Sequence, residues 1–372
     1  MKEYIIYLKK QFINLFKKET VFVVSVIIAV LTCFVNTPKL EYIDFKVVIS
    51  LFNLIIVVSA FQQLKLLDKI AVAILKKCSN RRTVAYVLTA VTFAASMLLT
   101  NDVALITLVP LTIIIGKRSD INPLEIIVVQ TLAANLGSSL TPIGNPQNLF
   151  IYSCFNVDTL EFLKAGALVA GIGIIALVVI NFFMKKDKLR YNLEEIEIKD
   201  KKKLCLFIAL FICIFLSVFR IIDYRIMLII TILVTLLADR SLFVKVDYYL
   251  LLTFVTFFII VGNISSIEPI RHAAERLLSG DSASYLSSII ISQFISNVPA
   301  AVLLSGFTSS WRPIMLGVNV GGMGTLIASL ASVIAYKLYV KSFNNSKAYL
   351  TKFHIYNFIS LIIIGFVVYI FL

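Results

Sequence analysis

Apolar runs recur along almost the whole chain, and they decide the class of fold before any motif is read. They occupy about residues 21–36, 47–62, 124–152, 165–184, 204–219, 226–238, 248–262, 313–336 and 353–372. A helix needs about 20 residues to span the hydrocarbon core, so the shorter runs require flanking side chains that snorkel to the interface. Hydrophobic residues make up 59% of the 372 and charged residues only 15%, against roughly a quarter charged in a soluble domain. The sequence predicts an all-α polytopic membrane protein with the lipid bilayer as its solvent.

Two further apolar blocks, about 83–116 and 284–306, are each interrupted by a polar motif. Taken as re-entrant hairpins that enter and leave on one side, they place 27 of the 35 Lys and Arg residues on the side of the N-terminus. That is the positive-inside pattern, with a cytoplasmic N-terminus and a C-terminus outside. It accounts for the net charge of +14 without invoking a nucleic-acid partner, and none is expected. Residues 1–20 read as a Lys-rich amphipathic lead-in and not as a cleavable signal peptide. The five cysteines have no CxxC spacing and the two histidines stand apart, so neither a disulfide framework nor a metal centre is indicated.

The chain also contains itself twice. "TNDVALITLVPL" (100–111) answers "SNVPAAVLLSGF" (296–307), and "NLGSSLT" (135–141) answers "NVGGMGT" (319–325) as Asn-x-Gly-x-x-x-Thr. An amphipathic stretch precedes each hairpin, "LKLLDKIAVAILKK" (64–77) and "ISSIEPIRHAAERLL" (264–278). The expected organisation is an N-terminal repeat over 1–184, a charged cytoplasmic loop and linking helix over 185–224, and an inverted C-terminal repeat over 225–372. Inverted repeats with broken helices place a binding site at the midplane between the halves.

Several residues are candidates for that site. Asn101 and Asn297 at the hairpin turns can offer amide oxygens to a cation and amide N–H groups to an anion. Asn135, Gly137 and Thr141, with Asn319, Gly321 and Thr325, would open the following helices at the same depth. "TPIGNPQN" (141–148), which includes Asn145, is a stretch that no continuous lipid-facing helix would choose. Ser329 and Ser332 read as small packing residues, as does the Gly317–Gly321 spacing. Glu125 stands at a helix start, where a carboxylate is favoured. Asp102 is different: an Asp at a helix centre costs about 2.5–3.5 kcal/mol on insertion scales, and an intramembrane carboxylate is a functional candidate by default. No Lys or Arg lies at similar depth to neutralise it, so its expected partner is a cation, a proton or the polar groups of the other motif.

The Asn hairpins, "TPIGNPQN" and "NVGGMGTLIASLASV" resemble the citrate-transporter-like branch of the ion transporter superfamily, which includes divalent-anion/sodium symporters, arsenite pumps and some sodium/proton antiporters. The resemblance covers roughly 47–180 and 247–340. It implies an elevator-type transporter, commonly a homodimer, with no cofactor beyond a coupling Na⁺ or H⁺. In the dicarboxylate symporters each tip reads Ser-Asn-Thr; here the tips read Thr100-Asn101-Asp102 and Ser296-Asn297-Val298. A Na⁺ role thereby carries over to Thr100, Asn101, Asn135, Ser296 and Asn297. The third-position Thr, a carboxylate contact in that group, is absent from both tips.

The sequence thus predicts a secondary active transporter of the inner membrane and not an enzyme. It would move a small anionic solute, such as citrate or a dicarboxylate, coupled to Na⁺ or H⁺. An arsenite efflux permease and a sodium/proton antiporter are the alternatives.

Overall fold

The computed structural model describes residues 19–189 and 191–372; all but the last two residues of the expected lead-in over 1–20 lie outside the described residues. The first half consists of α1 (Thr20–Cys33), α2 (Phe45–Gln63), α3 (Leu66–Leu75), α4 (Arg81–Leu99), α5 (Asn101–Arg118), α6 (Leu124–Ser138), α7 (Pro146–Cys154) and α8 (Thr159–Phe182). A single helix, α9 (Lys201–Val218), follows the charged loop. The second half is α10 (Tyr224–Ala238), α11 (Tyr248–Ser265), α12 (Glu268–Leu277), α13 (Asp281–Ile295), α14 (Asn297–Ser305), α15 (Trp311–Gly321), α16 (Leu330–Phe343) and α17 (Ser346–Ile370). No β-strand occurs among the described residues, and Asn80 and Lys188 form an isolated bridge.

Local chemistry explains where these helices begin. Asp44, Asn80, Asp158, Asp200, Asp223, Asp247 and Asn345 are N-caps whose side chains accept from backbone N–H groups of the first turn, which satisfies donors that an apolar surrounding would leave unpaired. Asn145 caps α7 in the same way, with Pro146 in the first turn where its missing N–H costs nothing.

Element for element, α1–α8 correspond to α10–α17. The expected 124–152 run is broken over residues 139–145 into α6 and α7, and the 313–336 run is broken over 322–329 into α15 and α16. The blocks expected as hairpins are the helix pairs α4–α5 and α13–α14, each joined at one residue. Packing repeats as well: α4 lies on α6 as α13 lies on α15, and α5 meets α16 as α7 meets α14.

The outermost pair is exchanged. α1 of the first half packs on α11 of the second, and α10 packs back on α2. Across the first contact Thr256 Oγ1 donates to Ser25 Oγ at 2.7 Å, and Asn263 Nδ2 donates to Thr32 Oγ1 at 3.2 Å.

Among the described residues five helices, α2, α4, α8, α11 and α17, are long and apolar enough to cross a membrane. The α8 face carrying Ile174, Ile175, Val178 and Val179 is exposed, as is the α17 face carrying Ile355, Ile359, Ile362 and Ile363. Apolar patches of this extent on a polytopic helical chain are lipid-facing surfaces. In contrast, α6 is buried on all sides except at Glu125. It therefore forms the axis around which the polar interior is built.

Candidate functional site

The two helix pairs turn through the same unusual backbone. Thr100 has φ 92° and ψ 148°, and Ser296 has φ 75° and ψ 154°. L-residues with a Cβ avoid this region, and holding one there costs of order 1–3 kcal/mol. Two unrelated residues adopt it at equivalent places, so the surroundings must impose it.

Those surroundings are the helix breaks. Thr141 Oγ1 donates to the carbonyl of Met97 on α4, and Thr325 Oγ1 donates to the carbonyl of Gln293 on α13 at 2.9 Å. Each carbonyl lies three residues before its tip. Asn101 N–H donates to Gly144 O at 3.0 Å, fixing the first tip to the first break. Gln293 Nε2 donates to the carbonyls of Gly321 and Met323, filling the second break from within. Asn148 Nδ2 does the same for the carbonyls of Ser138, Ser139 and Thr141. Unwound backbone is thereby paired inside protein, as it must be at membrane depth.

Gly137 and Gly321 are required by close approach. A Cβ on Gly137 would lie 2.4 Å from the Phe93 carbonyl oxygen, and one on Gly321 would lie 2.9 Å from Ser292 Cβ. Gly317 packs equally tightly on Tyr285 and Ser288, in agreement with a packing role for that spacing.

The halves are joined by reciprocal hydrogen bonds. Asn145 Nδ2 donates to Asn319 Oδ1 at 3.0 Å, and Ser329 Oγ donates to Asn135 Oδ1 at 3.0 Å. Asn145 and Ser329 each stand immediately before the second half of a broken helix. Asn135 Oδ1 also accepts from Asn101 Nδ2 at 3.2 Å, and Asn135 Nδ2 donates to Gly322 O at 3.1 Å. Asn319 Nδ2 donates to Asn148 Oδ1 at 2.7 Å. With two donors on its oxygen, Asn135 has used its acceptor capacity on protein.

A small cavity opens between the two tips, lined by Asn101, Asp102, Pro146, Gln147, Leu250, Asn297, Val298, Ser329 and Leu330. Of the residues expected at the site, Asn101, Asp102 and Asn297 line it. Thr100, Ser296, Asn135, Asn145, Asn319, Thr141 and Thr325 form the supporting framework, and Gly137 and Gly321 allow its close packing. Gln147 and Ser329 were missed. Ser329 was expected to be a packing residue, yet it bonds Asn135 and faces the cavity; the available signal was its place just ahead of α16. Ser332 is fully buried and its hydroxyl has no partner. A larger, mostly apolar cavity beside Tyr42, Phe150 and Phe258 is lined by none of the expected site residues.

Four helices, α5, α7, α14 and α16, begin at the cavity wall, each contributing residues from its start. Helix N-termini carry partial positive charge and free N–H donors, which favour an anion. Asp102 opposes them from the first turn of α5, and its carboxylate has no hydrogen-bond or ion-pair partner among the described residues. No group of three or more His, Cys, Asp or Glu suited to a metal ion occurs among the described residues.

Broken helices meeting at a buried polar cavity, inside a bundle with apolar outer faces, define a multi-pass membrane protein that carries solutes. Residues 12–310 match the citrate transporter family, and the chain belongs to it. It is similar to an uncharacterised transporter of Methanocaldococcus jannaschii, 38% identical over 80% of this chain and 81% of that protein. It is also similar to the inner membrane protein YbiR of Escherichia coli, 27% identical over 85% of this chain and 84% of that protein. An uncharacterised transporter of Mycobacterium tuberculosis is 22% identical over 78% of each chain.

Proposed function

We propose that the protein is a secondary active transporter of the inner membrane that moves a small anionic solute, of the citrate or dicarboxylate type, coupled to Na⁺ or H⁺. The observation that carries the anionic reading is the convergence of four helix starts on one cavity with Asn101 and Asn297. The solute's carboxylate sits in the partial positive charge of those helix starts and against the Asn101 and Asn297 amides, and a coupling cation or proton on Asp102 removes its repulsion of the anion. The helix pairs α4–α5 and α13–α14 are re-entrant hairpins in this reading, since their tips end among buried polar residues. The N-terminus is cytoplasmic and the C-terminus outside, following the positive-inside charge bias.

The unequal surroundings of two equivalent residues support elevator-type movement. Asp44 caps α2 and Asp247 caps α11 at corresponding places. Beside α11, Leu250 shares a cavity with the starts of α5 and α16 at Asp102 and Leu330. Beside α2, Asp44 instead meets the far ends of α7 and α14, accepting from Ser153 Oγ at 3.4 Å and sharing a cavity with Ser305 and Gly306. A transport unit displaced toward the cytoplasmic side relates the two environments, and the opposite displacement exchanges them. A homodimer is the assembly that such a scaffold favours.

The unpaired carboxylate of Asp102 favours a sodium/proton antiporter as the second reading, and an arsenite efflux permease is a further alternative within the same architecture. Proteoliposomes under an imposed Na⁺ or pH gradient discriminate these. Accumulation of citrate, succinate or malate above the external concentration supports the symporter. Cation exchange without any solute supports the antiporter, and uptake that only equilibrates overturns alternating access.

A further inference from the structure

Gln147 is the second residue of α7 and is only 1% exposed. Its side-chain oxygen is shielded from solvent and has no hydrogen-bond partner. A buried amide oxygen without a partner costs about 1–3 kcal/mol, so such atoms are rare unless something else satisfies them. Other buried side-chain oxygens among the described residues also lack partners, including those of Asn53, Asn263 and Asn357, but of these described atoms only that of Gln147 belongs to a residue lining the cavity between the tips.

The cavity's other open acceptor is Asp102, the second residue of α5. The remaining amide oxygens there are engaged: Asn101 Oδ1 accepts from the Asp102 N–H at 2.9 Å, and Asn297 Oδ1 accepts from Ser296 Oγ at 3.4 Å. Asp247 adds a second carboxylate whose charge acts on Asp102. Two oxygens with no donor, in a field made more negative by a further carboxylate, suit a hard cation that takes oxygen ligands.

The other repeat lacks the arrangement. The second residue of α14 is Val298 and the second residue of α16 is Ala331. The positions equivalent to Asp102 and Gln147 thus carry no side-chain oxygen at all.

Building on the transporter reading above, we propose that Gln147 is a direct ligand of a monovalent cation shared with Asp102, and that this site exists in the first repeat alone. Gln147 supplies the neutral oxygen and Asp102 the charge, and Val298 and Ala331 leave the symmetry-related place without a cation. The pair forms the acceptor side of the cavity, and the helix starts and amide N–H groups form its donor side.

The test uses purified full-length protein and NaCl or LiCl as the probe, with choline chloride holding ionic strength constant. Thermal unfolding of the wild type is expected to shift upward with Na⁺ along a non-cooperative saturation curve, because a ligand of the native state stabilises it. Gln147→Met keeps the side-chain volume and removes only the amide. It is expected to unfold at or above the wild-type temperature without Na⁺, and to raise the half-saturating Na⁺ concentration about tenfold or more. Gln147→Glu restores an oxygen and is expected to keep the response while changing the Na⁺ to Li⁺ preference. A Gln147→Met protein that saturates at the wild-type concentration, with Asp102→Asn unresponsive, overturns the role of Gln147 and leaves the transporter reading intact. Cooperative saturation overturns the restriction to one repeat. A wild type that responds to neither cation overturns both the site and the Na⁺-coupled form of the transporter.

Discussion

Asn145 Nδ2 donates to Asn319 Oδ1 at 3.0 Å, joining the break of one repeat to the first half-helix of the other. Asn319 in turn donates to Asn148, which closes three carbonyls of that break. One side chain thus holds two repeats and an unwound segment in a fixed relation.

Removing it should be costly. Asn319→Ala leaves Asn148 Oδ1 without its donor in a buried site, at about 1–3 kcal/mol, and leaves Asn145 Nδ2 with Ser138 alone. Ser329→Ala removes one of two donors from Asn135 and is expected to cost less, about 0.5–1.5 kcal/mol. Thermal unfolding of both variants in detergent checks the order, and equal loss would argue against the network.

At the tips, substitution separates backbone strain from side-chain chemistry. Ser296→Gly places in the φ 75° conformation the one residue that adopts it without penalty. It is expected to raise stability by up to about 1 kcal/mol relative to Ser296→Ala, which keeps the Cβ. If the two variants unfold together, the tip stores no strain.

The two equivalent glycines should not tolerate alanine equally. A Cβ at Gly137 meets a backbone carbonyl at 2.4 Å, whereas one at Gly321 meets the Ser292 side chain at 2.9 Å. Gly137→Ala must push α4 away from α6 and is expected to exceed the usual overpacking cost of about 1–3 kcal/mol. Gly321→Ala should fall within it. The yield of monodisperse protein and its unfolding temperature measure the difference.

Acid sensitivity has an identifiable source at the α9–α10 junction. Burial alone would push the Asp239 carboxyl up, but donors from Lys203 and Ser241 outweigh it and hold the group at about 2. A carboxyl depressed on folding contributes stability that is fully present above its unfolded value, about 3.9, and is lost as pH falls through the folded value. Between about pH 4 and pH 2 the wild type should therefore lose stability faster than Asp239→Asn. Parallel unfolding curves for the two proteins across that window would contradict the assignment.

The elevator-type movement proposed above can be tested by trapping its two positions. In a background without native cysteines, Leu250→Cys with Leu330→Cys should cross-link and abolish transport, because both residues line the cavity. Val47→Cys with Val298→Cys, the places equivalent to Leu250 and Asp102, should cross-link only when the unit sits on the opposite side. Gel mobility after oxidation, with transport restored by reductant, reads both. Cross-linking of the two pairs in one unchanging population would exclude the movement.

Much of this site could be read from spacing. The shared Asn-x-Gly-x-x-x-Thr pattern located both helix breaks, because proline, glycine and amides cannot serve a lipid-facing helix. The tips were visible as polar interruptions of apolar blocks. What remained hidden depends on which residues meet across the halves. Ser329 looks like any small interhelical residue until it is seen opposite Asn135, and nothing in one dimension shows that it corresponds to Asn145. Gln147 sits inside "TPIGNPQN", but only its missing partner distinguishes it from Asn148 beside it. Gln293 has no sequence signal, because its counterpart, Met97, contributes to the first tip only through its backbone carbonyl.

The exchange of α1 and α10 between the halves has a consequence for biosynthesis. As the chain leaves the ribosome, α2 waits for α10, and α1 stays without its neighbour until α11 has been made. The first half therefore cannot mature as it is inserted, and a nascent chain stopped after α8 would expose a seam that quality control can recognise. A truncated product should be degraded, whereas the two halves expressed as separate polypeptides should find each other in the membrane and restore the clasp.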